Sequence, residues 1–219
     1  MQAVLDFEEL SPKEKILRDG LKEFLPTEAL PYVARYFASQ QVKLKVTRSR
    51  RTKYGDFRTS SDNPIPQISI NHDLNQYAFL ITLIHEAAHL ECWLKHKNKV
   101  KPHGKEWKGF FKELMKLYMQ MQIFPSDLQK ALQGYMENPA ASSCTDLKLM
   151  KTLKLYDEAK EGVFHLDALP ENCTFILNKR MFKKGEKRRK LYKCQDLQNR
   201  KYYLINPICE VMLVNNPEI

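Results

Sequence analysis

Five consecutive residues near the middle of the chain have types and a spacing that suit metal-dependent hydrolysis. They read His85-Glu86-Ala87-Ala88-His89, and on an α-helix the two histidines would lie on one face, one turn apart. Two imidazoles in that arrangement can bind one zinc ion, which lowers the pKa of a water molecule to about 7. Glu86 can then accept the water proton and return it to a leaving amine. The pattern therefore predicts a zinc-dependent peptidase with His85 and His89 as metal ligands and Glu86 as general base.

A catalytic zinc site needs a third protein ligand, and the sequence leaves several choices. Lys95 stands six residues after His89, where the long metzincin pattern has a third histidine. The next predicted helix offers Glu106 and Glu113, and the short loop before it offers His103. We favour His103, because a short loop can fold back over the metal.

The motif needs a rigid element to carry it, and apolar residues at helical spacing predict a helix over about 74–95. Asn71 or Asp73 is the expected N-cap of this helix. Other helices are predicted to begin near residues 12, 27, 105, 126 and 146, and strands are predicted at 42–47, 57–59 and 67–71, with a turn at 54–56. These strands would form a small sheet that precedes the central helix in the chain.

After Gly162 the sequence changes to short strands, predicted at 163–166, 173–177, 190–194, 201–205 and 210–214, with residues 178–190 as a connection. The chain is therefore expected to belong to the α+β class and to have three parts. These are a metallopeptidase core at 1–138, a linker and helix at 139–160, and a basic β-rich module at 161–219.

Basic residues are concentrated in two places, and the net charge of the chain is +10. Residues 179–201 contain eleven lysines or arginines against two acids, and residues 43–58 contain seven against one. Such clusters suit a polyanionic partner, with DNA or another nucleic acid the first candidate. The candidate contact residues are Lys187, Arg188, Arg189, Lys190, Arg50 and Arg51.

Four aromatic residues are interleaved with the C-terminal basic run: Phe182, Tyr192, Tyr202 and Tyr203. Aromatic rings beside cations can stack on bases while the cations meet phosphates. The same rings can instead form the core of a small module, and the sequence leaves both interpretations open.

No apolar run reaches the ~18 residues needed to cross a bilayer, so no membrane is expected. Residues 1–9 are acidic and lack the basic start of a signal peptide. We therefore expect a soluble, monomeric protein in the cytoplasm, where binding to the nucleoid would follow from DNA affinity. The five cysteines are scattered without a Cys-x-x-Cys pair, which predicts free thiols rather than disulfides or a normal zinc ribbon.

Two stretches together resemble the SprT-like family, which includes bacterial SprT proteins and the eukaryotic protease Spartan. They are Ile84-His85-Glu86-Ala87-Ala88-His89 and His103-Gly104-Lys105-Glu106-Trp107, and the upstream residues 54–57 and 68–71 are also similar. The resemblance implies a minimal zincin fold, one catalytic Zn²⁺, and His103 as the third ligand. It also implies a protein substrate that is bound or crosslinked to DNA.

The C-terminal region departs from the family pattern. Many SprT-like proteins end in a four-cysteine zinc ribbon, whereas Cys173, Cys194 and Cys209 stand singly here. We therefore expect a degenerate, ribbon-like module and leave a second metal in doubt.

Two other interpretations compete with a peptidase. One is a nucleic-acid-binding protein whose zincin core is structural or vestigial, and the other is a zinc hydrolase with a non-peptide substrate. Glu86 favours an enzyme, because a structural zinc site does not need that carboxylate and would have a fourth protein ligand.

Overall fold

The structure is a computed structural model that describes residues 10–50, 52–60, 64–139, 146–158 and 160–214. The chain divides into two compact units, Met1–Asp157 and Glu158–Ile219. The described residues form six α-helices and two β-sheets, with all six helices in the first unit and the larger sheet in the second. The predicted α+β class is therefore confirmed. No described helix has the length and apolar character that a membrane span requires.

Six helices and a three-stranded sheet make up the first unit. The helices are α1 (Pro12–Leu21), α2 (Leu30–Ser39), α3 (Gln76–His96), α4 (Lys105–Gln120), α5 (Ser126–Glu137) and α6 (Leu147–Lys154). The strands are β1 (Lys43–Thr47), β2 (Gly55–Arg58) and β3 (Gln67–Asn71). β3 is central, parallel to β1 and antiparallel to β2. β2 is thus an edge strand of this sheet.

Helix α3 is the core of the first unit. Every residue from Ala78 to Ala88 is buried, because α4 packs on the helix and both β2 and β3 also contact it. A helix that is buried on all faces carries apolar residues all round, and polar residues within it then stand out as candidates for function. His85 and Glu86 are two of those buried polar residues.

The predicted N-cap of α3 was wrong. The cap is Asn75, whose Oδ1 accepts a hydrogen bond from Ala78 N at 2.9 Å. Asn71 instead ends β3, and its side-chain amide donates to the carbonyl oxygens of Arg50 and Lys53. Asx residues cap helices and also bridge backbone in loops, so the sequence alone could not separate these two uses.

The helix predicted within the linker segment is α6, and it lies in the first unit. It contacts α5, and the Asn75 side-chain amide donates to Leu153 O at 3.0 Å and to Asp157 Oδ1 at 2.6 Å. The start of α3 is therefore tied to the end of α6.

The second unit is a seven-stranded antiparallel sheet. Its strands are β4 (Val163–His165), β5 (Thr174–Leu177), β6 (Arg180–Lys183), β7 (Lys187–Arg188), β8 (Leu191–Asp196), β9 (Tyr202–Ile205) and β10 (Glu210–Leu213). Their order is β4-β10-β5-β6-β8-β7, with β9 also paired to β8. A small apolar core lies within the unit and includes Phe175, Phe182 and Tyr192.

Residues 178–190 form more than the connection that was predicted, because they contain β6 and β7. Only Phe182 gives β6 a buried apolar position, and both residues of β7 are exposed cations. An alternating hydrophobic pattern is the main signal for a strand, and it is nearly absent from such a charged run.

Candidate metal centre

Two histidines of α3 face the same cleft. The rings of His85 and His89 have centroids 5.1 Å apart, as expected for residues one helical turn apart. His85 is buried and His89 is half-buried, so both imidazoles lie at the inner wall of the cleft rather than in open solvent.

A tight turn brings His103 to the same place. Gly104 N donates to Lys101 O at 3.0 Å, Pro102 occupies the second position, and His103 has a positive φ of 56° at the third. Those features define a type II turn, whose third position usually holds glycine or asparagine. Left-handed backbone at a histidine costs ~1 kcal/mol, and such strain is concentrated at functional positions.

The three imidazoles meet through their Nε2 atoms. His103 Nε2 lies 3.1 Å from His85 Nε2 and 2.9 Å from His89 Nε2. A tetrahedral metal ion with bonds of about 2.0–2.1 Å holds its nitrogen ligands about 3.3 Å apart, so the three nitrogens lie close to the spacing of metal ligands. Among the described residues, this is the one His, Cys, Asp or Glu cluster whose donor atoms could hold a metal ion. The alternatives Glu106 and Glu113 are not part of it.

The three histidines are in the protonation state that a metal requires. Burial, followed by the charges of His89 and His103, lowers the pKa of His85 to about 3. Burial and His103 lower the pKa of His89 to about 4, and burial lowers the pKa of His103. The imidazoles are therefore neutral near pH 7, with lone pairs available to a cation.

Aromatic side chains hold the imidazoles in place. The Trp107 ring lies 4.6 Å from the His85 ring and 4.7 Å from the His103 ring, centroid to centroid. On the other side, Phe57 is nearly parallel to His89 at 6.2 Å. Neighbours that fix ligand orientation commonly raise metal affinity.

Glu86 is held between α3 and the edge strand β2. Only 6% of its surface is exposed, and the backbone N–H of Phe57 donates a hydrogen bond to it. A Cβ on Gly55 would lie 2.5 Å from Glu86 Oε1, so only glycine lets the strand approach this closely. The predicted turn at 54–56 is therefore corrected, because Gly55 and Asp56 belong to β2.

The environment of Glu86 strengthens its basicity. Burial first, and then the charge of Asp56, raise the pKa of Glu86 to about 8, against opposing effects of Arg50 and Lys53. A carboxyl group with a pKa in that range can both accept and release a proton near neutral pH.

Arg50 is engaged inside the first unit. Its Nε donates to Asn71 Oδ1 at 2.8 Å and its Nη1 donates to Ser69 Oγ at 3.1 Å. These bonds fix the loop before β2, and the nucleic-acid contact that the sequence suggested for Arg50 stays a prediction. Arg51, the other candidate in this cluster, lies outside the described residues.

The cluster of three histidines opens into a cleft of about 500 Å³. β2, the second half of α3 and the loop leading to His103 supply its walls. Such a volume accommodates several side chains of a peptide. Lys97 and Lys101 also line it, and no pattern of residue type or spacing singles out these two among the 36 lysines and arginines.

The second unit separates the four aromatic residues into two groups. Phe182 and Tyr192 are core residues, with 4% and 9% of their surfaces exposed. Tyr202 and Tyr203 are 59% and 36% exposed. The core interpretation is therefore confirmed for Phe182 and Tyr192, whereas base stacking stays a prediction for Tyr202 and Tyr203, which are at the surface.

The candidate nucleic-acid residues of this unit are exposed together. Lys187 and Arg188 form β7, and Arg189 and Lys190 make the turn into β8. Lys184, from the same basic run, is instead buried and donates a hydrogen bond from Nζ to Leu169 O. The charge pattern of the sequence could not distinguish this residue from its neighbours.

The cysteines form no cross-link in the described structure. Cys92, Cys173, Cys194 and Cys209 are free thiols, and Cys144 lies outside the described residues. None of the four belongs to the metal-binding cluster described above.

Comparison with known protein families identifies the part of the chain that contains the cleft. Residues 28–129 match the model of the SprT-like family, and this range contains all three histidines and Glu86. The chain carries a SprT-like family domain. Searches among curated proteins and among solved structures found no significant match. The family domain covers most of the first unit and none of the second.

Proposed function

We propose that this SprT-like protein is a zinc-dependent endopeptidase. The observation that carries the proposal is the meeting of three neutral imidazoles beside one buried carboxylate. Three protein ligands leave one position of a tetrahedral zinc ion open, which is typical of catalytic rather than structural zinc sites. The SprT-like match supports a metallopeptidase.

His85, His89 and His103 would hold the ion through their Nε2 atoms. Zinc bound there would supply a Lewis acid that polarises a water molecule and a peptide carbonyl. Glu86 takes the proton from the attacking water and delivers it to the leaving amine nitrogen. Gly55 and the Phe57 N–H keep the carboxylate in position for both transfers.

The edge strand β2 offers a place for the substrate backbone. It lines the cleft through Gly55, Asp56 and Phe57, and among the described strands it pairs only with β3. An extended peptide can add to such an edge through backbone hydrogen bonds, which are independent of side-chain identity. This mode suits a protease that accepts locally unfolded protein segments.

The second unit is proposed to bind DNA or another nucleic acid, which would direct the peptidase to DNA-bound proteins. Tyr202 and Leu204 are exposed on one surface of β9. Lys193 lies beside them, with Nζ 4.3 Å from the Tyr202 ring, and Arg188 and Arg189 line the same surface depression. An exposed ring among cations can stack on a base while the cations meet phosphates.

The test of the peptidase is Glu86→Gln. The variant should retain zinc, because the three histidines remain, and it should lose at least about 10³-fold in the rate of cleavage of a denatured protein. Zinc content by mass spectrometry and cleavage by gel electrophoresis measure the two effects. Cleavage at the parent rate would remove Glu86 from the mechanism, whereas loss of zinc would show that the carboxylate is needed to retain the metal.

A further inference from the structure

The cleft extends from the three histidines along α3. A row of aromatic rings lines it and ends at a lysine ammonium group. Phe57 lies nearly parallel to His89 at 6.2 Å, and the Phe57 and Trp93 rings are 6.4 Å apart. Lys97 Nζ then lies 3.8 Å from the centre of the Trp93 ring. Trp93 and Lys97 follow His89 by one and two helical turns, so the row runs along the axis of α3.

Two cations at the far end of this row are available for a ligand. Lys97 and Lys101 both line the cleft and are exposed. In the described ranges, neither ammonium group forms a salt bridge with a carboxylate. Two acids line the same cleft: Glu86 is buried, and Asp56 is already paired with Lys53 at 2.7 Å and with Arg58. The cleft mouth therefore has an excess of positive charge.

Both lysines are attached to the elements that position the metal ligands. Lys97 N donates to Trp93 O at 2.8 Å at the end of α3, and Lys97 has a φ of 52° that turns the chain there. Lys101 begins the type II turn that carries His103. Their backbones are thus fixed relative to the three histidines, which lowers the entropy cost of binding a ligand.

The geometry points to a substrate subsite for an acidic side chain, formed by Trp93, Lys97 and Lys101. This inference rests on the proposed peptidase function and names the peptides that it prefers. Two turns of α3 from His89 to Lys97 span about 11 Å. An extended peptide advances ~3.3 Å per residue, so the favoured aspartate or glutamate lies about three residues from the scissile bond.

Nucleic acid is the competing polyanion for these two lysines. A base would need an open aromatic face, but Trp93 is only partly exposed and the Lys97 ammonium covers one of its faces, whereas Tyr202 of the second unit is 59% exposed. The Phe57 ring, on the wall of the cleft, is only partly exposed. A carboxylate side chain can pair with an exposed ammonium group without needing such a face, and this difference favours an acidic peptide.

The test uses peptides in which one glutamate is moved stepwise along an otherwise neutral sequence, with matched lysine peptides. At the best position, about three residues from the cut, kcat/KM for the glutamate peptide should exceed that for the lysine peptide about tenfold. The double variant K97E/K101E should reverse this preference. K99E is the matched control, because Lys99 is exposed in the same loop but does not line the cleft.

Binding measured separately from cleavage distinguishes this inference from the proposed function. Fluorescence anisotropy on the Glu86→Gln background, with and without K97E/K101E, reports peptide affinity without turnover. Preferential binding of the glutamate peptide without cleavage by the parent would support the subsite and contradict the peptidase. Cleavage of all peptides at equal rates, unchanged in K97E/K101E, would overturn the subsite alone. A single-stranded oligonucleotide that loses affinity for K97E/K101E, while the acidic peptide does not, would assign the lysines to nucleic acid.

Discussion

The cleft of the first unit and the basic sheet of the second keep their polar side chains in different surroundings. In the cleft, His85 and Glu86 are buried next to apolar residues of α3, where an unpaired polar group costs several kcal/mol. On the sheet, Lys187 and Arg188 are exposed, and an exposed charge costs little. Burial therefore makes the first group hard to explain without a function, whereas the second group is compatible with a solvated surface.

The same contrast explains why the two regions suggest different levels of chemical detail. The cleft fixes distances between donor atoms and therefore predicts one metal and one proton carrier. The sheet shows only that cations and exposed rings lie near one another, which predicts a class of partner rather than one ligand. Experiments on the cleft should thus give large effects from single atoms, and experiments on the sheet should give smaller effects that depend on several residues.

After Glu86→Gln, the largest of these effects is expected for Gly55→Ala. The added Cβ would lie 2.5 Å from Glu86 Oε1 and 2.7 Å from Thr82 Cγ2, so the carboxylate or the strand must shift. A displacement of this size at a catalytic group costs ~10²-fold in kcat/KM, and zinc content should be unchanged. Peptide cleavage assays and metal analysis measure both results.

Gly109→Ala is the matched control, because an added Cβ there meets nothing within 4 Å. It should leave kcat/KM within about twofold of the parent and stabilise α4 slightly. If Gly55→Ala also left cleavage unchanged, the contact between β2 and Glu86 would not position the base.

A smaller effect is expected on the sheet when Lys187, Arg188, Arg189 and Lys190 are replaced together by alanine. Affinity for single-stranded DNA should fall about tenfold at moderate salt, and the slope of log affinity against log salt should become shallower. Binding titrations at several salt concentrations measure both quantities. The control replaces four exposed lysines of the first unit, Lys15, Lys22, Lys116 and Lys130, and matches the net charge. Equal losses in both variants would mean that total charge, rather than this surface, governs binding.

Tyr202→Ala should weaken the same interaction about fivefold, since stacking on one base contributes ~1 kcal/mol or more. The salt dependence should stay as in the parent, because stacking releases no counterions. The same titrations provide the measurement. A changed salt slope with unchanged affinity would contradict a stacking role for this ring.

A separate effect is a pH dependence of stability in the metal-free protein. Because burial raises the pKa of Glu86 from 4.5 to about 8, the folded protein holds a proton between these values that the unfolded chain has released. The stability that depends on Glu86 is therefore present below pH 4.5 and is lost as the pH rises towards 8.

Urea unfolding of the parent and of Glu86→Gln at several pH values isolates the pH-dependent stability that is due to Glu86, because glutamine does not titrate. The difference between the free energies of unfolding of the two proteins should change by about 1 kcal/mol per pH unit between pH 4.5 and 8. Restoring zinc should reduce this change with pH, since a nearby cation favours the ionised carboxylate and lowers its pKa. A constant difference across the range would show that Glu86 has an ordinary pKa.

The sequence predicted the elements that carry strong periodic or spacing signals. The helix predicted to begin near residue 12 is α1, where Ser11 and Glu14 form a capping box, and α3 lies within two residues of its predicted ends. The spacing of His85 and His89 required only that a helix form there. Local geometry decided these features, so a single sequence was sufficient to predict them.

Features that depend on distant parts of the chain could not be predicted in this way. Gly55 contacts a carboxylate 31 positions later in the sequence, and its role appears only when β2 packs on α3. Lys184 is buried although its neighbours are exposed. In each case tertiary packing assigns a role that residue type and spacing do not encode.

X-ray diffraction from crystals of the zinc-loaded protein, recorded just above and just below the zinc absorption edge, tests the central claim most directly. The account predicts one anomalous peak per chain, about 2.0–2.1 Å from the Nε2 atoms of His85, His89 and His103. It also predicts no fourth protein ligand. Absence of a peak there, or a peak whose ligands include a fourth side chain, would contradict a catalytic zinc centre.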